Sequence, residues 1–200
     1  MLNHLSLFQR LVALSFLIMT LSSCATTEPK IDTCFSPGGG CLDAIVTEIA
    51  NAKADLRIQT SSLNAKTVMD AVGKAKNSGV NVRIILDGGS RTAQSSAQYI
   101  FALYGIRTWL DSKHALADAN VIIIDKAVVI TGSFNFTKEA EDQNAENLMI
   151  IRSERVAGTY LENWNLHRSH SEEFKQAAAP PPQAPKSEKK VKKKKKVAPH

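Results

Sequence analysis

Apolar and polar positions follow two different periods along the middle of this 200-residue chain. Apolar residues recur at helical spacing in CLDAIVTEIANAK (41–53) and again between Val68 and Ala75. Between them lie short, nearly continuous apolar runs such as VNVRIILD (80–87), VIIID (121–125) and VVITG (128–132). Such runs are typical of strands covered on both faces. The pattern predicts one α/β domain with a mixed β-sheet flanked by helices on both faces.

The remaining periodic segments fit the same architecture. LRIQT (56–60) and IRTWLD (106–111) are predicted strands, and SSAQYIFALYG (95–105) is a predicted helix. NLMIIR (147–152) is predicted as the final strand and residues 153–174 as the last helix. These segments give about 150 residues, which suffices for one domain with its own core.

The amino-terminal segment has the pattern of an export signal. Arg10 and the chain terminus are positive, and the apolar run LVALSFLIMTL is too short for a comfortable membrane span. It ends in Leu-Ser-Ser before Cys24, which resembles a bacterial lipobox. We therefore expect a lipid-anchored protein of the bacterial cell envelope, attached through Cys24 to the outer membrane and facing the periplasm. The alternative is ordinary cleavage near Ala25, which would release a free periplasmic protein.

The carboxyl-terminal segment differs sharply in composition from the rest. AAAPPPQAP predicts an extended linker, and the last fifteen residues hold eight lysines and one glutamate. The overall charge of +6 therefore comes from this tail, because the residues between the signal and the tail carry a small net negative charge. A lysine run is expected to stay unfolded and to bind polyanions such as nucleic acid. The predicted boundaries are a signal peptide at 1–23, a tether at 24–32, a folded domain at 33–176, a linker at 177–185 and a Lys-rich tail at 186–200.

Three cysteines fit an exported protein. If Cys24 is lipidated, Cys34 and Cys41 remain on either side of FSPGGG, and an oxidising compartment permits a disulfide between them. The alternative is two reduced cysteines, one in a strand and one at the start of a helix. Sequence spacing does not decide between the two, because a disulfide needs close approach of the two Cα atoms.

The segment DANVIIIDKAVVITGSFNFTKEAEDQNAEN (118–147) resembles an active-site motif. In the phospholipase D superfamily, and specifically in its single-motif Nuc-type endonuclease branch, the signature is His-x-Lys, then Asp, then Gly-Ser-x-Asn, then Glu in an Asn-x-Glu-Asn run. The residues that match this spacing are Asp125, Gly132, Ser133, Asn135 and Glu146. Asp118 stands at the His position and Asn120 at the Lys position. Further similar stretches extend the resemblance over about residues 33–174.

The resemblance implies both an architecture and a chemistry. It implies a phospholipase D/nuclease-like sandwich, and a homodimer that pools two half-sites because the chain has one motif copy. In the family, one histidine attacks phosphorus, a second protonates the leaving oxygen, and the lysines neutralise phosphoryl charge. Ser133 and Asn135 would then bind phosphate and Glu146 would be an orienting carboxylate without its imidazole. Asp125 and Gly132 would be structural.

The predicted consequence is loss of hydrolysis. With Asp118 and Asn120 at those positions, each half-site loses a nucleophile and a cation and gains a carboxylate, so an incoming phosphate meets repulsion. We expect an inactive or severely impaired phosphodiesterase-like homodimer that binds polyanions through residues 186–200. One alternative is an active phosphodiesterase that cleaves nucleic acid or phospholipid. The other is a structural dimer with a divalent cation between Asp118 and Glu146.

Three further histidines lie within the predicted domain. His114 is interpreted as a residue at a strand entry, and His167 and His170 as packing or dimer residues on one helix face. Two helical histidines without a third ligand make a weak metal site. No metal ligand is therefore assigned, and no cofactor is expected.

Overall fold

The computed structural model describes residues 28–89 and 97–175. The predicted signal peptide, the predicted lipidation site Cys24, the predicted linker at 177–185 and the predicted tail at 186–200 lie outside the described residues. Within the described part, no helix is both long enough and apolar enough to span a bilayer.

The described residues form eight strands and five helices. The strands are β1 (Lys30–Phe35), β2 (Asp55–Thr60), β3 (Asn81–Asp87), β4 (Arg107–Asp111), β5 (Val121–Ile124), β6 (Val128–Gly132), β7 (Asn147–Arg152) and β8 (Glu172–Glu173). The helices are α1 (Cys41–Ala50), α2 (Lys66–Asn77), α3 (Ala97–Leu103), α4 (Lys138–Asp142) and α5 (Glu154–His170).

All eight strands belong to one mixed sheet, in the order β1-β7-β6-β5-β2-β3-β4-β8. Strands β2, β3 and β4 are parallel to one another, and the other neighbouring pairs are antiparallel. The predicted mixed α/β sheet is confirmed. Because β5 is antiparallel to both β2 and β6, its amino end meets their carboxyl ends, and this edge is where polar side chains gather.

Helices cover both faces of the sheet because both faces are apolar. On one face, Ile58, Ile84 and Ile122 pack against α1, α2 and α3. On the other face, Ile85, Ile123 and Val129 pack against α5 through its buried Trp164. Alternate residues of one strand, such as Ile84 and Ile85, therefore enter opposite cores, which explains why the central strands are continuously apolar.

The structure differs from the sequence prediction at both edges of the sheet. Strand β1 begins at Lys30, so the predicted tether is three residues too long and its last residues pair with β7. The last helix ends at His170, not near 174, because β8 follows and pairs with β4. Arg107 fixes this short strand through two hydrogen bonds to the Glu173 carboxylate. NLMIIR is consequently not the final strand.

A disulfide joins Cys34 of β1 to Cys41 at the start of α1, with 5.7 Å between the two Cα atoms. The sequence left open whether these cysteines are bonded or reduced, and in the structure they are bonded. The bond closes the glycine-rich loop. The N–H groups of Gly40 in this loop and of Leu42 at the start of α1 both donate to the Glu141 carboxylate, at 2.8 Å and 2.9 Å. This loop is therefore fastened to α4, next to the segment that contains Glu146.

Candidate functional site

Apart from Asp125, the polar residues of the motif converge at the edge where β2, β5 and β6 meet. The register pairs Gln59 with Val121 and Val121 with Thr131. The residues that follow β2, precede β5 and follow β6 are therefore neighbours in space. They form a polar cleft, by which we mean Thr60, Ser61, Asp118, Asn120, Ser133, Asn135 and Glu146.

Asp118 lies exposed at the rim of this cleft. Its Oδ1 accepts a short hydrogen bond from Ser61 Oγ, which also lies 3.4 Å from Asn135 Oδ1. Ser61 thus bridges the acid to one of the predicted phosphate-binding residues. Ser61 was not among the predicted site residues, although its position directly after a buried strand was a usable signal.

Asn120 is buried, and both ends of its amide are engaged. Its Oδ1 accepts from Thr60 Oγ1 at 2.8 Å, and its Nδ2 donates to the Ser133 carbonyl at 3.3 Å. Only 6 % of the residue is exposed. This side chain connects β2 to the loop after β6, and both of its polar atoms are hydrogen-bonded within the protein.

Ser133 and Glu146 form the opposite wall of the cleft. Ser133 Oγ donates to Glu146 Oε2 at 2.6 Å and accepts from the backbone N–H of Asn147 at 3.1 Å. Glu146 is held by its backbone as well, because its N–H donates to Ser36 Oγ at 3.2 Å. Gly132 permits this arrangement: a Cβ there would lie 2.2 Å from the Asn147 carbonyl oxygen. Any side chain at position 132 would push Ser133 away from Glu146.

The electrostatic balance of the cleft is negative. Asp118 and Glu146 have separate partners, Ser61 for the first and Ser133 with Asn144 for the second. Within residues 28–89 and 97–175, no Lys, Arg or His forms an ion pair with either carboxylate. To an incoming phosphate, such a cleft offers hydroxyl and amide donors, but no cation that is held by Asp118 or Glu146.

Asp125 lies outside the cleft, at the turn between β5 and β6. Its carboxylate accepts three backbone N–H groups, from Lys53, Ala54 and Asp55, each at 2.8 Å. Burial alone would raise the pKa of Asp125, but these three donors hold the pKa below its usual value. Asp125 therefore joins the β5–β6 turn to the start of β2, and it adopts a left-handed φ of 50° to do so.

Replacing Asp125 with alanine should lower the free energy of unfolding by about 2–4 kcal/mol at neutral pH, because three N–H groups lose a charged acceptor. Because folding depresses the pKa of Asp125, this carboxylate stabilises the fold at pH values above its unfolded-state pKa of about 4. The contribution disappears as the pH falls through the folded-state pKa. The loss of unfolding free energy in Asp125→Ala, relative to the unchanged protein, should thus become smaller in acid. Urea unfolding of both proteins at neutral pH and near pH 3 measures it.

Asp125→Asn is the matched control, since one amide oxygen can still accept from Ala54 and Asp55. Asp125→Asn should lose less unfolding free energy than Asp125→Ala, and its loss should change little with pH. Equal stability of Asp125→Ala and the unchanged protein at neutral pH would show that these hydrogen bonds do not stabilise the fold.

A second polar cluster lies two strands away, at the carboxyl end of β4. It consists of Asp111, His114, His167 and His170, and we call it the Asp111 cluster. All three ring nitrogens approach Asp111 Oδ2: His167 Nδ1 at 2.8 Å, His114 Nδ1 at 3.1 Å and His170 Nε2 at 3.2 Å. Burial would raise the pKa of Asp111, but these imidazoles and the Lys113 N–H hold it well below its usual range.

This cluster corrects one interpretation of the sequence and adds to another. His114 lies in the loop after β4, seven residues before β5 begins, and so is not a strand-entry residue. His167 and His170 share one face of α5, and both contact the buried Asp111 carboxylate, which was not predicted as their partner. The available signal was that every histidine of the described residues occurs near Asp111 or in the last turn of α5.

Comparison with known proteins identifies the family of this sheet and cleft. A family model described as "Cardiolipin synthase, PLD-like domain" matches residues 45–167, which is more than half of the chain. The chain belongs to the phospholipase D superfamily. This phospholipase D-like domain is 38 % identical over 138 residues to a phospholipase D of Rickettsia prowazekii, covering 69 % of this chain and 67 % of that protein. It is 26 % identical over 127 residues to the human mitochondrial cardiolipin hydrolase, covering 64 % of this chain and 50 % of the relative.

Solved structures agree with this phospholipase D-like assignment. The crystal structure of Nuc from Salmonella typhimurium, a phospholipase D family member, superposes with a TM-score of 0.71 at 34 % identity. The match covers 74 % of this chain and all of that one. NucT from Helicobacter pylori has the same fold, with a TM-score of 0.67 at 21 % identity and the same two coverages. The predicted phospholipase D/nuclease-like fold is therefore confirmed.

Proposed function

We propose that this protein is a phospholipase D-like homodimer that binds phosphodiester polyanions and has lost, or nearly lost, the ability to hydrolyse them. In this proposal Asp118 and Asn120 occupy the positions at which the family has its histidine and lysine. The observation that supports it best is the state of Asn120, a buried neutral amide whose two polar atoms already bind Thr60 and Ser133. Such a side chain provides no positive charge for a phosphoryl group.

Asp118 does not replace a histidine in this chemistry. An imidazole attacks phosphorus and transfers protons near neutral pH, whereas the negative charge of a carboxylate repels the phosphate. Its Oδ1 also accepts from Ser61. Removal of the nucleophile from a hydrolase costs on the order of 10⁶ in kcat, and here the neighbouring cation is proposed to be absent too.

Binding remains chemically reasonable without hydrolysis. Ser133 and Asn135 keep hydroxyl and amide groups in the cleft, and Ser133 is positioned by Glu146 and Asn147. These groups would contact phosphate oxygens weakly, because they are neutral. We therefore assign most of the affinity to charge outside the cleft, in the Lys-rich tail at 186–200.

Homodimer formation is part of the proposal. The chain has one copy of a motif that the family uses in pairs, and Leu116, two residues before Asp118, is 57 % exposed. A single exposed leucine does not by itself mark an interface, so the dimer is proposed on the single motif copy. Lipidation at Cys24 would hold the dimer at the outer membrane, facing the periplasm.

Neutralising the tail should weaken DNA binding by at least ~10²-fold in low salt, because each lysine lost removes a phosphate contact and the counterions it releases. The comparison is between the full chain with the eight tail lysines changed to glutamine and the full chain with the same lysines changed to arginine. The arginine form keeps the charge and should bind like the unchanged protein. Fluorescence anisotropy with a short DNA duplex, repeated over a salt series, measures both affinity and salt dependence.

If the glutamine form binds DNA as tightly as the unchanged protein, the tail is not the contact and binding belongs to the domain. Equal loss in the glutamine and arginine forms would also contradict the proposal, since it would show that something other than charge is responsible.

Retained hydrolysis is the second candidate, and one observation favours it: the chain is 38 % identical to a protein named phospholipase D. Release of nitrophenol from bis-nitrophenyl phosphate distinguishes the two. The third possibility, a cation between Asp118 and Glu146, receives less support because each carboxylate has its own hydrogen-bond partners.

A further inference from the structure

The Asp111 cluster has the composition of a transition-metal site. Imidazole nitrogens and one carboxylate are ligands that zinc accepts, usually four of them in a tetrahedral arrangement. Magnesium and calcium prefer oxygen ligands, so three nitrogens argue against both ions. The candidate ligand atoms of all four residues lie within 4.8 Å of one another.

The distances are close to those of a zinc site. With metal–ligand bonds of about 2.0–2.1 Å, the ligand atoms of a tetrahedron are separated by about 3.4 Å. The three nitrogens lie 2.8–3.2 Å from Asp111 Oδ2. The separations of the three nitrogens from Asp111 Oδ2 would therefore have to lengthen by only roughly 0.2–0.6 Å to reach the tetrahedral value.

The surroundings also favour a cation. The Asp111 side chain is fully buried, and three imidazoles approach one of its oxygens, which has about two lone pairs to offer. His167 and His170 lie in the last turn of α5, where the backbone carbonyls give the helix its negative end. The His114 side chain is 43 % exposed, so an ion can enter from solvent.

We propose that the Asp111 cluster binds one zinc ion per chain as a four-ligand structural site. The ion would connect three segments: the end of β4, the loop that follows it, and the last turn of α5. That loop continues into Asp118, so zinc would fix the segment that forms the rim of the cleft. Four protein ligands leave no open position, which distinguishes this site from a catalytic zinc centre. The proposal does not depend on whether the cleft hydrolyses or only binds phosphodiesters.

The test uses the purified protein, first stripped with a chelator and then exposed to zinc alone. We expect one zinc ion per chain after gel filtration, measured by mass spectrometry of the metal. We also expect a rise of roughly 5 °C or more in Tm with saturating zinc. Cobalt in place of zinc should give the intense visible absorption of a tetrahedral centre.

His167→Gln and His170→Gln should each weaken zinc binding by at least ~10²-fold, because even residues outside the ligand set of a zinc site change affinity by 10–100-fold. The matched control is Glu162→Gln, which removes an exposed carboxylate from the same helix and should leave binding unchanged. Circular dichroism of the metal-free variants checks that both fold.

The proposal fails if the unchanged protein retains no zinc above the buffer level. It also fails if folded His167→Gln and His170→Gln bind zinc as tightly as the unchanged protein, or if the cobalt form shows only the weak absorption of six-coordinate cobalt.

Discussion

Changing Asp118 to histidine together with Asn120 to lysine should raise the rate of bis-nitrophenyl phosphate hydrolysis by at least ~10³-fold over the unchanged protein. The double change supplies a nucleophile and a cation at the edge where β2, β5 and β6 meet. Ser133 and Glu146 are already hydrogen-bonded to each other there. The gain should fall short of the full cost of removing a nucleophile, on the order of 10⁶, because Asn120 also stabilises the fold.

That structural role predicts a side effect. Lysine at position 120 removes the hydrogen bonds to Thr60 and to the Ser133 carbonyl, so the free energy of unfolding should fall by about 1–3 kcal/mol. The two single variants are the controls. Asn120→Lys alone should not hydrolyse the substrate, because position 118 then still lacks an imidazole. Asp118→His alone should be slower than the double variant.

Two results would contradict the expectation. A folded double variant with no gain would show that the cleft does not hold residues 118 and 120 where the reaction needs them. A natural protein as fast as the double variant would show that hydrolysis uses other groups.

Replacing Trp164 with alanine should cost about 3–5 kcal/mol of folding free energy, the range for large buried aromatic residues. Trp164 is 1 % exposed, and its ring meets that of Trp109 edge to face with centroids 6.2 Å apart. Its Nε1–H donates to the Ile58 carbonyl at 3.0 Å. The indole thus connects α5 to the sheet, one helical turn before His167.

Urea unfolding followed by circular dichroism measures this loss. Asn165→Ala is the matched control, because Asn165 is the next residue of the same helix and is exposed; it should change stability by less than about 0.5 kcal/mol. A Trp164→Ala protein as stable as the control would mean that α5 is not held by its aromatic contact.

The centre of the sheet was predictable because its strands are apolar on both faces. Strands such as Val121–Ile124 have no polar residue to interrupt the pattern, and their burial is complete. The edge strands were not predictable by the same reasoning. Strand β1 (KIDTCF) is largely exposed, and β8 has two residues, both glutamate, so neither has an apolar period.

The candidate site was predictable where a local motif exists and not where contacts are distant in sequence. Asp118, Ser133 and Glu146 lie within one short segment, residues 118–147, whereas Ser61 reaches Asp118 across 57 positions. Likewise, His167 meets Asp111 across 56 positions. Only the register of the sheet and the path of α5 bring such residues together, and neither follows from spacing along the chain.

The most direct test is the rate at which the natural full chain hydrolyses bis-nitrophenyl phosphate with protein in excess over substrate. Under this condition even one slow turnover per site is detected. We predict a rate equal to that of a buffer blank, with the Asp118→His, Asn120→Lys protein clearly above it. Nitrophenol release by the natural protein at a rate comparable to that variant would contradict the claim that this protein binds phosphodiesters without hydrolysing them.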